Sequence, residues 1–269
     1  MALPPPSESS TALVTGASSG IGAELARCLA RRGHGVTLVA RRVERLEELA
    51  AELRSAHGVR AETIACDLSS APARAELLER VEALGLAVDV LVNNAGFGTG
   101  GYFQRLDLDR ELELVRVNIE ALVELCGRHV PGMVERGRGA VLNVASTAAF
   151  QPLPRQATYS ASKSFVLAFT EALHSDLRGT GVQATVLCPG PVRTEFADTA
   201  GIGEDAESVP AMLWAEPDFV AEEAVKGLER GRRVVVPGLV NRVGAVGGAH
   251  TPRGLWLRVA ERVTPVGRT

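Results

Sequence analysis

Four cysteines, five histidines and two tyrosines are few for a chain of 269 residues, and the scarcity narrows what the chain can be. Cys28, Cys66, Cys126 and Cys188 are far apart and form no Cys-x-x-Cys pair. A disulfide framework or thiolate metal site is therefore not expected, and buried reduced thiols are. The histidines are equally scattered, so no metal site is expected. No apolar run reaches the roughly 20 residues of a membrane span. A net charge of −3 gives no electrostatic reason for nucleic acid or an anionic surface as a partner. The first nine residues lack both the basic and the apolar region of a signal peptide. They are expected as a disordered lead-in to one folded domain over 10–269, located in the cytoplasm.

What is present is an alternation of short β-rich runs and longer helical patterns. Thr11–Thr15, Val36–Ala40, Val59–Cys66, Val88–Val92, Gly139–Ala145, Val182–Cys188 and Arg233–Val236 read as strands. Helical patterns follow at Ile21–Arg32, Val43–His57, Ala71–Leu84, Leu108–Glu135, Thr158–Arg178 and Pro217–Glu229. The second places Val43, Leu46, Leu49 and Leu53 on one stripe, and the fourth places Leu112, Val115, Ile119, Leu122 and Cys126 on one face. Continuous apolar strands, each followed by a helix, imply a doubly wound parallel α/β sheet of about seven strands, covered by helices on both faces.

The first strand runs into Thr15-Gly16-Ala17-Ser18-Ser19-Gly20-Ile21-Gly22. Glycines between a strand and a helix let backbone amides approach a pyrophosphate, which the positive helix N-terminus then stabilises. The second strand ends in Ala40-Arg41-Arg42. An NAD site usually carries an acid there for the ribose 2′-hydroxyl. Arginine in its place favours a 2′-phosphate, and so NADP over NAD. Asp67, followed by Leu68, lies after the third strand, where an adenine amino group could be accepted. Asn93-Asn94-Ala95-Gly96 closes the fourth strand and reads equally as a backbone brace beside a cofactor or as a plain turn. Asn118, a poor interior helix residue, is either functional or a satisfied structural amide. Ser146 closes the fifth strand. Tyr159 and Lys163 stand four apart at the head of a helix, where an ammonium near a phenol would lower the phenol pKa toward neutrality; the spacing alone also fits a surface tyrosine lying along a lysine stem.

In this order and spacing, Thr15 to Gly22, Asn93 to Gly96, Asn118, Ser146, Tyr159 with Lys163, and Pro189-Gly190 resemble the short-chain dehydrogenase/reductase family. The resemblance runs from about Ser10 to Pro237. It implies hydride transfer between a nicotinamide and a carbonyl or alcohol. Tyr159 would be the general acid or base, Lys163 would lower its pKa and bind the nicotinamide ribose, and Ser146 would polarise the substrate oxygen. Asn118 would hold a relay water. Pro189, Gly190, Val192 and Thr194 match the nicotinamide-side loop. A homodimer or homotetramer is implied too, and Phe165, Val166, Leu167 and Phe169 would suit such a contact or a core. A protein that senses NADP(H) on the same fold without turnover is the alternative.

Substrate choice is expected in the loop over about Glu195 to Glu216 and beside Ser146. Phe97, Ala148, Phe150, Leu153, Phe196, Met212 and Trp214 would make an apolar pocket for a hydrophobic ketone, aldehyde or secondary alcohol. The glycine- and arginine-rich tail, about 241–269, would cap the pocket or a subunit contact, with a membrane-surface helix the weaker reading.

Overall fold

The computed structural model describes residues 3–201 and 209–263. Seven strands alternate with helices along the chain: β1 (Ser10–Thr15), α1 (Gly20–Arg31), β2 (Val36–Ala40), α2 (Val43–His57), β3 (Ala61–Ala65), α3 (Ala71–Ala83) and β4 (Ala87–Asn93). There follow α4 (Leu108–Val115), a π-helical turn (Arg116–Glu120), α5 (Ala121–Glu135), β5 (Gly139–Val144), α6 (Ala157–Asp176) and β6 (Val182–Leu187). The short α7 (Phe196–Thr199), then α8 (Pro217–Glu229), β7 (Val234–Val235), α9 (Leu239–His250) and α10 (Arg253–Val263) complete it.

All strands pair in parallel in the order β3-β2-β1-β4-β5-β6-β7. Side chains alternate across the sheet, so each strand feeds two cores. Ala12 and Val14 of β1 join α1, α2 and α8 on one face, while Leu13 joins α3, α5 and α6 on the other. Burial on both sides is why these strands read as unbroken apolar runs. The order reverses between β1 and β4, and the carboxyl ends of those strands open the crevice where doubly wound sheets bind ligands.

Three expectations need correction. Residues 3–9 are not a loose lead-in: Leu3 packs against the first core and Pro4 is buried, while Met1 and Ala2 lie outside the described residues. The helix expected over Leu108–Glu135 runs between those ends, but a π turn within it shifts its phase and so its buried face. Leu122 and Cys126 are buried as expected, but Leu112 and Val115 face solvent, and Glu111 and Leu114 point inward in their place. Val43 also falls off its expected stripe and is exposed, while Leu46, Leu49 and Leu53 are buried.

Candidate active site

The glycine turn is shaped by close approach. Gly16 and Gly20 have φ of 67° and 55°, in the left-handed region that side chains disfavour. A Cβ on Gly16 would sit 2.7 Å from Asn94 Nδ2, and one on Gly20 would sit 2.9 Å from Thr194 Cγ2. Asn94 is the brace: its Nδ2 donates to the carbonyls of Thr15 at 3.0 Å and Gly16 at 3.3 Å. Thr15 Oγ1 accepts from the amides of Asn94 and Ala95, both at 3.0 Å. The end of β4 is therefore stitched to the end of β1, with Gly20 and Ile21 at the start of α1 lining the crevice. Gly22 does not face it. It packs against the Gly16 carbonyl and Asn94, where a Cβ would overlap both.

Arg42 at the head of α2 turns back over this wall. Its Nη2 donates to Ser19 Oγ at 2.7 Å and Ser18 Oγ at 3.1 Å, and its Nη1 donates to Glu195 Oε2 at 2.8 Å. Arg41 is more exposed, 3.8 Å from Glu113 Oε1. Asp67 accepts from Ser69 N at 3.0 Å and Ser69 Oγ at 2.8 Å. Burial pushes its carboxyl up, but those bonds and the charge of Arg41 hold it below the ordinary range.

Lys163 and Tyr159, both buried, form the floor. Lys163 Nζ donates to the Val144 carbonyl at 3.0 Å and lies 5.9 Å from the centre of the Tyr159 ring. Burial lowers the ammonium pKa to about 8. Burial likewise pushes the phenol of Tyr159 up to about 12, a hydrogen bond with Ser146 opposing it. The expected lowering by Lys163 is absent: desolvation, opposed by Ser146 alone, sets the direction, and the ammonium is bonded to a carbonyl.

Ser146 caps the short turn Thr147–Ala149, accepting from the Ala148 amide at 3.1 Å. Asn118, in the π turn, is locked to one backbone segment: Oδ1 accepts from Phe97 N at 3.1 Å, and Nδ2 donates to Phe97 O and Ser162 Oγ, each at 3.0 Å. It stands behind the cavity wall, not on its surface, beside Gly96, where a Cβ would come within 2.9 Å of Asn118 Oδ1 and 3.2 Å of Lys163 Nζ. π turns of this kind recur at functional sites.

One cavity of about 930 Å³ joins these parts. Its lining at the glycine-turn end includes Gly16, Ser18, Ser19, Gly20, Ile21, Arg41, Arg42, Asp67, Leu68, Asn94, Ala95 and Gly96. Ser146, Tyr159, Lys163, Pro189, Gly190, Val192 and Thr194 line its middle, and Phe97, Ala148, Phe150, Leu153, Phe196 and Trp214 its apolar end. Phe196 packs on Tyr159 at a ring separation of 5.6 Å. Met212 is misplaced by the sequence reading: it is 72% exposed on a 3₁₀ turn, outside the cavity.

The tail expected over the pocket or a subunit contact supplies lining residues that the sequence reading did not name one by one. Asn241, Ala245 and Gly248 of α9, and Trp256 and Ala260 of α10, line the apolar end. The tail is tied down at the rim: Gln151 Nε2 donates to the carbonyls of Gly248 and, at 2.9 Å, Thr251, and Trp256 Nε1 donates to Pro152 O at 2.8 Å. Gln151 Oε1 is buried without a partner among the described residues. No local pattern announced Gln151. A lone tryptophan, Trp256, in a glycine-rich tail was the signal for the other rim contact.

This is the architecture of a nucleotide-dependent oxidoreductase, and comparison agrees. The family model for short chain dehydrogenase matches residues 10–205, and the chain belongs to that family. It is an NAD(P)-dependent oxidoreductase. Among its relatives, a "Putative ketoacyl reductase" of Streptomyces coelicolor is 36% identical over 256 residues, covering 89% of this chain and 98% of the relative. A short-chain dehydrogenase from Sphingobium yanoikuyae, solved in complex with NADPH, is 35% identical with a TM-score of 0.81, covering 92% of this chain and 95% of that one. The "bulky-bulky ketone specific alcohol dehydrogenase" of Comamonas testosteroni is 28% identical with a TM-score of 0.75, covering 95% and 92%. No helix among the described residues is long and apolar enough to cross a membrane.

Proposed function

We propose that this chain is an NADPH-dependent reductase of apolar ketones or aldehydes in which Tyr159 is the proton donor. The observation that carries this is the pairing of a buried phenol and a buried ammonium at the floor of a largely apolar cavity that begins at a glycine turn. The two glycines with positive φ, pressed against Asn94 and Thr194, leave a cradle that fits a dinucleotide. A nicotinamide bound there supplies the hydride that goes to the carbonyl carbon.

The chain's own residues complete the step. Ser146 donates to the carbonyl oxygen and takes up part of its developing charge. Tyr159, held neutral by burial until about pH 12, gives that oxygen the proton that makes the alcohol. Lys163 brings positive charge beneath the phenol as it becomes a phenolate. Asn118 fixes the Phe97 backbone that forms one wall. Arg42, poised over Ser18 and Ser19, takes the 2′-phosphate and favours NADPH over NADH. The NADPH complex of the Sphingobium relative supports that choice. The aromatic and aliphatic lining supports a bulky apolar substrate, in keeping with the names of the ketoacyl and bulky-ketone relatives. Four free buried thiols suit the cytoplasm, and the exposed Phe165, stacked on Phe169, suits a homodimer or homotetramer contact.

Tyr159→Phe tests the reading. Turnover of an apolar ketone should fall by about 10²–10⁴-fold, with NADPH affinity retained by fluorescence titration. If wild-type protein bound NADPH and reduced nothing across a broad carbonyl panel, the reductase would give way to a silent NADP(H) sensor.

A further inference from the structure

The tail helices carry their apolar residues on the wrong side for a water-facing surface. On α9 the inward face is Asn241, Ala245 and Gly248, and Asn241 Nδ2 donates to Leu213 O at 3.1 Å. Opposite it, at positions i, i+4 and i+7, Leu239 is 76%, Val243 64% and Val246 55% exposed. Leu255 and Val259 are exposed on α10. A helix on a soluble body normally turns charge, not valine, to solvent.

Charge is segregated in the same stretch. Residues 239–263, the span of α9 and α10, contain four arginines, Arg242, Arg253, Arg258 and Arg262, and one acidic residue, Glu261, in a chain whose net charge is −3. Arg242, Arg253 and Arg258 make no ion pair among the described residues.

We propose that the outer face of α9 and α10 docks on an anionic lipid bilayer surface, so that the apolar substrate reaches the cavity from lipid. Helices of 12 and 11 residues are too short to span a bilayer but long enough to lie in its interface. Valine and leucine enter the boundary with the acyl chains, and the arginines meet the headgroup charge. A second copy of the chain fits this face less well. A twofold contact would bring each arginine-bearing patch against its own copy, with Glu261 the single acid on the two helices against four arginines. The same two helices line the far side of the cavity through Ala245, Gly248, Trp256 and Ala260, so the docked face and the apolar end share one thin wall.

The inference builds on the reading of the cavity as a site for an apolar carbonyl, yet docking is measured without any substrate. Full-length protein is sedimented with phosphatidylglycerol–phosphatidylcholine vesicles and with pure phosphatidylcholine vesicles. Wild type should bind the anionic vesicles, lose binding in high salt, and stay largely in solution with the neutral ones. Val243→Glu with Val246→Glu, neither residue lining the cavity, should weaken binding by tenfold or more while NADPH affinity, the check on folding, is unchanged. Arg258→Gln should weaken it on the order of fivefold, the share of one arginine near a charged surface. Wild type that stays in the supernatant with anionic vesicles overturns the proposal. So does a double variant that binds them as well as wild type, or one whose only change is a smaller oligomer by light scattering, which would make the face a subunit contact. Vesicle binding without reduction of any apolar carbonyl would leave docking standing and sink the reductase reading instead.

Discussion

On the wall made by the β1–α1 turn and the end of β4, backbone sets the shape: Gly16 and Gly22 lie against Asn94, and Thr15 and Asn94 stitch the strand ends together. On the facing wall side chains set it: Phe196, Trp214, and Trp256 with Ala260 come from three separate segments, tied to the body by a few bonds from Gln151 and Trp256 and to one another by Asn241. The first arrangement admits almost no substitution and holds a ligand part that never varies. The second can change residue by residue without disturbing the sheet, as suits the part of the site that chooses a substrate.

Glycine substitution breaks that comparison most sharply. Gly22→Ala would drive a Cβ into the Gly16 carbonyl and Asn94. It should cost about 3 kcal/mol by overpacking against backbone and remove NADPH binding. Gly247→Ala, on α9 with nothing within 4 Å of the added Cβ, should instead stabilise its helix by up to about 1 kcal/mol. Urea midpoints at matched slope check both. A tolerated Gly22→Ala would mean the cofactor wall yields as readily as the tail.

Lys163 stands between the walls, and its effect is next in size. Burial lowers its pKa to about 8 from the ordinary 10.5. Below pH 8 both folded and unfolded chains carry the proton, and the folded state bears the full desolvation cost. From pH 8 to about 10.5 only the unfolded chain stays protonated, so stability rises with pH across that window. The shift corresponds to roughly 3 kcal/mol, less what the bond to Val144 returns. Lys163→Met should therefore be more stable than wild type at pH 7, inactive, and progressively less distinguishable from it as pH approaches 10.5. A difference that ignored pH would place the cost elsewhere.

Most of the cofactor wall was legible in the sequence because it rests on local rules. Glycines at a strand-to-helix turn and unbroken apolar runs are properties of neighbouring residues, and β2, α2 and α8 begin and end where periodicity placed them. The π turn was not legible, because it accompanies a bond between Asn118 and Phe97, 21 residues apart. Nor was the raised pKa of Tyr159, since sequence spacing shows the nearby lysine but not the burial that raises it. Gln151 was overlooked and Met212 misplaced for one reason: a loop's side chains point where distant helices leave room, and composition does not say where that is.

The smallest expected effect joins the two walls. Glu195, at the start of the substrate-side loop, accepts from Arg42 at 2.8 Å and from Arg45 at 2.6 Å across the crevice. Arg42, then Arg45, holds its carboxyl at about 2, so it is charged at any working pH, and the link weakens only as pH falls through that value. If Arg42 takes the 2′-phosphate, that dianion must share the guanidinium with a carboxylate of like charge. Glu195→Gln removes the competing charge and keeps the shape. Exposed ion pairs are worth about 0.2–1 kcal/mol, so NADPH should bind roughly 1.5- to 5-fold tighter, with the gain shrinking in high salt, while NADH affinity stays put. Phe196 follows Glu195 directly and covers Tyr159, so the same variant should also loosen the apolar wall and raise KM for the carbonyl. Equal changes for NADPH and NADH would show that Glu195 steadies the loop without guarding the phosphate subsite. The two walls would then be coupled through packing alone.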